Sequence, residues 1–354
     1  MSKTNNGRFF EDYSVGDILH HAVPRTVSGG ERALYHMLYP ARHALHSSDE
    51  FARACGLPAS PLDDFAAFHL VFGKTVPDVS LNAVANLGYG EGRWLLPVYA
   101  GDTLRSESEV IGVKQNSNGK TGVVWVRTRG INQRDEVVLE YVRWVMVRKN
   151  DLDAPAPVTV LPMLAKSLTV DQLAIPAELD FTDYDFALAG ETHRLGDYQV
   201  GEKVDHVDGV TIEEAEHMMA TRLWQNTAKV HFDASNRATN NTDGQRLIYG
   251  GHVISMARAL SFNGLANAQM IVGLNSGAHT NPCFRGDTIR AWSEVLETAQ
   301  TDAPGVGAIR LRLVATKDCV APDTRQDAFP LRGGDGKYLS DVLLDLDYWA
   351  LMPT

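Results

Sequence analysis

The sequence predicts an α+β chain made of two copies of one unit, each a central helix against an antiparallel sheet. Three observations carry this. Two separate segment pairs match at one spacing, each half opens on the same turn followed by a capped helix, and each half closes on strands. FEDYSVGDIL holds Asp12, Tyr13, Val15 and Gly16, which LGDYQVGEKV repeats as Asp197, Tyr198, Val200 and Gly201. PVYAGDTLRSESEV, from Pro97, recurs as PCFRGDTIRAWSEV, from Pro282, so that Gly101, Asp102, Thr103 and Arg105 become Gly286, Asp287, Thr288 and Arg290. From 12 to 197 and from 97 to 282 the spacing is 185 in both cases. Two matches at one offset without a net gap between them mark an internal duplication.

The elements follow in order. After the D-Y-x-V-G turn, Ser28-Gly29-Gly30-Glu31 and Thr211-Ile212-Glu213-Glu214 each place a hydroxyl three residues before a carboxylate, the pattern of a capping box. Leu34, Tyr35 and Leu38, and then Ala215, Met218 and Met219, continue at helical spacing. A second helix is clearest in the later half, where Gly250-Gly251 precedes the apolar stripe Val253, Ile254, Ala257, Leu260. Residues 309 to 314 alternate apolar and Arg, as a half-buried strand does. Residues 123–129 and 140–147 are rich in Val, Trp and Tyr, the residues of strands. Residues 150–162 carry Asp, Pro and Ala without periodicity and read as a linker. The expected division is a module over 1–150, a linker over 151–185 and a second module over 186–354. Helix first and strands after, twice over, is the pattern of a double hot-dog, with two modules packing as two subunits would.

Composition excludes several classes. The 354 residues are 44% hydrophobic and 22% charged, ordinary for a globular chain. A net charge of −11 argues against a nucleic-acid partner, though not against an anionic small molecule held by a local Arg cluster. Cys55, Cys283 and Cys319 are few, scattered and odd in number, which fits reduced thiols in the cytoplasm. No apolar run suggests a signal segment or a membrane span. A cytoplasmic homo-oligomer, a dimer by preference, is the expectation, with no membrane partner.

The two G-D-T-[LI]-R segments resemble the strand that begins the back of MaoC-like dehydratase domains. In that family the active-site segment reads Asp-x-Asn-Pro-[LIV]-His-x-Asp, with a downstream His-Gly opening a helix. Here the later half reads Asn226-Thr227-Ala228-Lys229-Val230-His231-Phe232-Asp233, followed by Tyr249-Gly250-Gly251-His252. The resemblance implies that His231 is the catalytic histidine and Asp233 the trailing aspartate. Asn226 stands where the family has its catalytic aspartate, and Tyr249-Gly250 where it has His-Gly. The length, the tandem layout and segments 222–226 and 247–252 are most similar to members that hydrate branched, carboxylated enoyl-CoA thioesters. That similarity implies reversible hydration of mesaconyl-CoA to β-methylmalyl-CoA, in acyl-CoA carbon assimilation. The substrate partner is then an acyl-CoA, and no cofactor or metal is expected.

Hydration of an α,β-unsaturated thioester needs a base for water, a proton for the α-carbon, and donors for the enolate-like oxygen. His231 suits the base, since an imidazole transfers protons near neutrality. Its repeat mate is His46, but Ala41 stands where Asn226 stands in the later half. One active site per chain, in the second module, is therefore expected. An amide cannot act as an acid. Either Asn226 orients water while His231 shuttles the proton, or Asp233, Asp63 or Asp64 supplies it, or the motif is locally shifted. Asp233 is equally an ordinary cap. Gly250 and Gly251 fit an oxyanion-binding helix start, or a plain turn. Tyr249 and His252 fit lining of the substrate pocket. A carboxylated acyl group needs an Arg: Arg222 is the first candidate, with Arg42, Arg93 and Arg237 behind it. A thioesterase on the same fold and a non-catalytic acyl-CoA-binding module are the alternatives.

Overall fold

The structure is a computed structural model and describes residues 3–235, 245–318, 329 and 331–354. Cys319 and Arg237 lie outside the described residues. The first half runs β1 (Ile18–Thr26), α1 (Gly29–Leu38), α2 (Ala44–Ser47), α3 (Asp49–Ala54), α4 (Asp64–Thr75), β2 (Ala83–Trp94), β3 (Thr103–Gln115), β4 (Thr121–Ile131) and β5 (Val137–Arg148). A connector with the single turn α5 (Phe186–Ala189) leads to the second half. That half runs β6 (Lys203–Thr211), α6 (Glu214–Leu223), α7 (Lys229–Phe232), α8 (Gly250–Leu260), α9 (Phe262–Leu265), β7 (Met270–His279), β8 (Thr288–Gln300), β9 (Val306–Lys317) and β10 (Val342–Pro353).

All ten strands form one sheet in the order β1-β3-β4-β5-β2-β7-β10-β9-β8-β6. The order reads the same from either edge once each strand is replaced by its repeat mate. The halves meet where β2 pairs antiparallel with β7: Tyr89 lies opposite Gly277, and Gly92 opposite Leu274. Those two pairs exchange under the repeat, so a pseudo-twofold axis passes between the strands. The chain is thus a double hot-dog, with α4 and α8 as its two central helices.

The hydrogen bonds show why the motifs repeat. Tyr13 donates from its hydroxyl to the carbonyls of Asp78 and Val79, and Tyr198 to that of Gly264, tying the opening turn to the segment after each central helix. Gly101 and Gly286 have φ of 103° and 90°, a backbone region that glycine tolerates best. Each donates its N–H, to Val27 and Ile212 respectively, at 2.9 Å. The Thr103 and Thr288 hydroxyls then pair with Thr26 and Thr211 at 2.7 and 2.8 Å. The repeated segments therefore lock the edge strands β1 and β6 onto β3 and β8.

Three details refine the sequence reading. Ser28 caps α1 with Glu31 as expected. In the second half, however, the N-cap is Glu213, two residues beyond Thr211, with its N–H on the Glu216 carboxylate. Thr211 is taken by the strand ladder and by Thr288, so it is not free to cap. Next, residues 151–185, read as a linker, touch both halves. Val160 bridges Val113, the Leu168 N–H bonds Asn275, and Leu173, Leu179, Phe181 and Tyr184 are buried. Finally, β5 and β10 begin at 137 and 342, not 185 apart, because the chain between β9 and β10 is longer than its counterpart between β4 and β5.

The central helices touch across the axis. His69 of α4 pairs through Nε2 with the Ser255 hydroxyl of α8 at 2.7 Å, and through Nδ1 with the Tyr249 hydroxyl at 3.2 Å. A Cβ at Gly73 would fall 1.7 Å from the Trp224 carbonyl oxygen, so only glycine permits this approach of α4 to the end of α6. That contact brings the first half against the segment that follows Trp224. Among the described residues no helix is long and apolar enough to cross a membrane.

Candidate active site

The segment after α6 turns sharply. Gln225 has φ of 56°, uncommon for a residue with a Cβ. The turn lets the Asn226 N–H reach the Thr221 carbonyl at 2.9 Å and drops the Asn226 side chain inward, where it is 2% exposed. The Ala228 N–H donates to Asn226 Oδ1 at 3.1 Å. That bond sets the amide's orientation and leaves its Nδ2 as a donor without a partner among the described residues.

Five residues on, α7 carries His231. Its Nδ1 lies 2.8 Å from the Leu247 carbonyl oxygen. A carbonyl only accepts, so Nδ1 carries the proton and Nε2 holds a lone pair. Burial lowers the imidazole's pKa to about 4, partly offset by the Leu247 carbonyl, so the ring is neutral at pH 7. Tyr249 packs edge-on to His231 at 5.8 Å between ring centroids.

These groups open on one cavity of about 490 Å³, the size of a small-molecule site. Asn226, His231, Tyr249 and Gly250 of the second half line it, together with Phe72, Tyr89 and Arg143 of the first half. Arg148 and Lys229 add two further cations, and among the described residues no Asp or Glu lines it. In a chain of net charge −11 that segregation favours an anionic ligand.

Gly250 starts α8, whose first amides have no acceptor within the helix. A Cβ there would come within 2.4 Å of His279 Cε1, and one at Gly251 within 2.4 Å of the Tyr249 ring. Gly250 lines the cavity, whereas Gly251 is required for the seating of Tyr249.

The remaining sequence candidates lie elsewhere. Asp233 turns its carboxylate to the N–H and hydroxyl of Ser235, which hold its pKa below the usual carboxylate range, and it does not line the cavity. Asp63 caps α4, and Asp64 faces His46 and the Ile271 N–H. Arg222 is exposed, with its Nε on the Met218 carbonyl. Arg93 pairs with Glu140, and Arg42 lies over the Phe262 ring. His252 is fully buried behind the wall, with Nδ1 on the Tyr39 hydroxyl.

Sequence reasoning missed His279, Tyr89 and Arg143. His279, at the end of β7, pairs through Nε2 with the Tyr89 hydroxyl at 3.3 Å, and burial with His231 nearby lowers its pKa to about 4. Arg143 had a signal: it shares the inward face of β5 with Tyr141 and Val145, where an apolar residue is the rule.

The profile of the mesaconyl-CoA hydratase family matches residues 1–325. The mesaconyl-CoA hydratase of Cereibacter sphaeroides is 73% identical over 351 residues, 99% of each chain. The β-methylmalyl-CoA dehydratase of Chloroflexus aurantiacus is 56% identical over 355 residues, again 99% of each. A solved MaoC domain dehydratase from Chloroflexus aurantiacus superposes with a TM-score of 0.95 at 55% identity, covering 100% of this chain and 99% of that one. A Mycobacterium tuberculosis protein described as a double hot-dog, 23% identical, superposes with a TM-score of 0.75 over 98% of each and supports the fold alone. With Asn226, His231, Tyr249 and Gly250 gathered in one cavity and relatives matching end to end, the chain belongs to the mesaconyl-CoA hydratase family.

Proposed function

We propose that the chain reversibly hydrates mesaconyl-CoA to β-methylmalyl-CoA, with one active site at the His231 cavity. The observation that carries this is a neutral His231, its Nε2 without a partner among the described residues, sharing with the Asn226 amide a cavity without a described carboxylate. Water held between Nε2 and Asn226 loses its proton to Nε2 as its oxygen bonds to the β-carbon. The electron pair of the double bond moves toward the thioester oxygen, where the Gly250 N–H at the start of α8 is the available donor. The imidazolium then gives its proton to the α-carbon, and His231 returns to the neutral form. A single histidine serves both transfers because Asp233, Asp63 and Asp64 all face away from the cavity.

Lys229, exposed at the cavity, suits a CoA phosphate. A thioesterase using carboxylate-activated water has no described carboxylate to draw on here. The test is His231→Ala. Loss of enoyl-thioester absorbance should slow by about 10²–10⁴-fold in a protein with unchanged circular dichroism. Retained activity would remove His231 from the mechanism.

A further inference from the structure

Arg143 stands on β5, opposite Tyr89 of β2 and Val126 of β4. Its side chain is 0% exposed. Nη2 donates to the Thr75 hydroxyl at 2.6 Å, and the guanidinium lies 4.3 Å above the Phe72 ring. Among the described residues Nε and Nη1 have no partner, and no carboxylate forms an ion pair with this cation. Buried donors are almost always satisfied, and a buried charge without a counter-charge is costly. A cation held in this way, on the wall of a cavity, is a site prepared for an anion.

Two rings link Arg143 to the base within one cavity. Phe72, under the guanidinium, packs on Tyr249 at 5.8 Å between centroids, and Tyr249 packs on His231 at 5.8 Å. In a thioester of a butenedioic acid the free carboxylate is bonded to the carbon that water attacks. Its recognition group must therefore share the cavity with the base, as Arg143 does and Arg222 does not. The corresponding residue of β10 is Tyr348, buried and outside the cavity lining, so at this strand position only the first half provides a cation.

We infer that Arg143 binds the free carboxylate of the acyl group and selects dicarboxylic enoyl thioesters over monocarboxylic ones. This rests on the reading of the cavity as an acyl-CoA site and names its specificity determinant. Thr75 and Phe72 hold the guanidinium in place before substrate arrives, so binding orders no long side chain. The carboxylate receives charge-assisted hydrogen bonds from donors otherwise unpaired.

The test compares binding of succinyl-CoA and butyryl-CoA to the wild type, Arg143→Met and Arg143→Lys by calorimetry. CoA is common to both ligands, so phosphate contacts cancel and the ratio reads the carboxylate alone. The expected result is a roughly 10²-fold weakening of succinyl-CoA by Arg143→Met, with butyryl-CoA within about 3-fold of wild type. Arg143→Lys, which keeps the charge but loses the planar fork, should weaken succinyl-CoA by about 10-fold and spare butyryl-CoA. It gives the same answer if the Met variant does not fold. Equal effects on both ligands, or none on either, would overturn the inference. Hydration of mesaconyl-CoA by the wild type is measured separately; if it fails while the binding ratio still shifts, the reaction is wrong and the carboxylate site stands.

Discussion

His46 is the repeat mate of His231, and replacing it should cost stability rather than catalysis. The two imidazoles differ in what surrounds them. His46 Nδ1 faces the Pro61 carbonyl at 3.3 Å, while Nε2 faces the Gln269 carbonyl at 3.2 Å and the Asp64 carboxylate at 3.3 Å. Every neighbour accepts, so both nitrogens must donate and the ring is an imidazolium. Burial alone would lower its pKa, but Asp64, with Asp63 behind it, raises it to about 9. Because the folded value lies above the unfolded one, the contribution is full below about pH 6.5 and disappears as pH rises through about 9. At about 1.4 kcal/mol per pH unit the rise converts to roughly 3 kcal/mol. Removing one partner of a buried pair costs about 3–5 kcal/mol, because the other charge is stranded. His46→Ala should therefore lower the urea midpoint at pH 6 by about 1 M, taking a slope of about 3 kcal/mol/M. The gap to wild type should shrink toward pH 10. Adding Asp64→Asn should recover part of the loss, since no carboxylate is then left unpaired. Unfolding at pH 6 and pH 10, with kcat at pH 7.5, checks all of this. A midpoint within about 0.2 M of wild type at pH 6 would refute the reasoning, as would a gap independent of pH. So would a loss of kcat comparable to that of His231→Ala.

Three further outcomes are expected. With His231 neutral down to about pH 4, kcat/KM should stay level from pH 8 to pH 5 and fall only as pH drops through about 4, where the base becomes protonated; an acid limb near pH 6.5 would contradict the buried, open-sided geometry. Asn226→Asp places a carboxylate in a lining that otherwise has none described, so kcat/KM for mesaconyl-CoA should drop relative to crotonyl-CoA. Asn226→Ala should lower both; wild-type behaviour would make the amide structural. Gly250→Ala pushes a methyl to 2.4 Å from His279 Cε1, and should cut kcat by at least about 10-fold by displacing His279 or the start of α8; unchanged kcat would remove Gly250 from the oxyanion site.

Much of the architecture was legible because duplication is a property of the string itself. The Asp12 and Asp197 carboxylates accept the N–H of Phe9 and Arg194, and Gly101 and Gly286 take a positive φ and bond the residues that follow the edge strands, so these turns constrain residue choice. The joining of the halves was not legible. Pairing of β2 with β7 is a contact between segments some 180 residues apart, with no short-range pattern to mark it. The second-half capping box was misplaced because a hydroxyl three residues before a carboxylate does not reveal whether a neighbouring ladder has already taken it. At the site, His231, Asn226 and Gly250 were found by motif, since one short segment carries each. Asp233 and Arg222 share those segments and point elsewhere, because spacing along a chain does not fix the direction of a side chain. His279, Tyr89 and Arg143 come from distant strands, and only the closed sheet brings them to the cavity.

The central claim is a hydration at the His231 cavity. The most direct measurement follows mesaconyl-CoA with the purified chain in two channels at once: absorbance of the enoyl-thioester band, and free thiol by a colorimetric thiol reagent. The band should decay to an equilibrium without thiol release, and β-methylmalyl-CoA added alone should restore the band to the same final ratio. Thiol release in step with the decay would instead identify a hydrolase, and an unchanged band with tight binding would identify a carrier; either result would contradict the account.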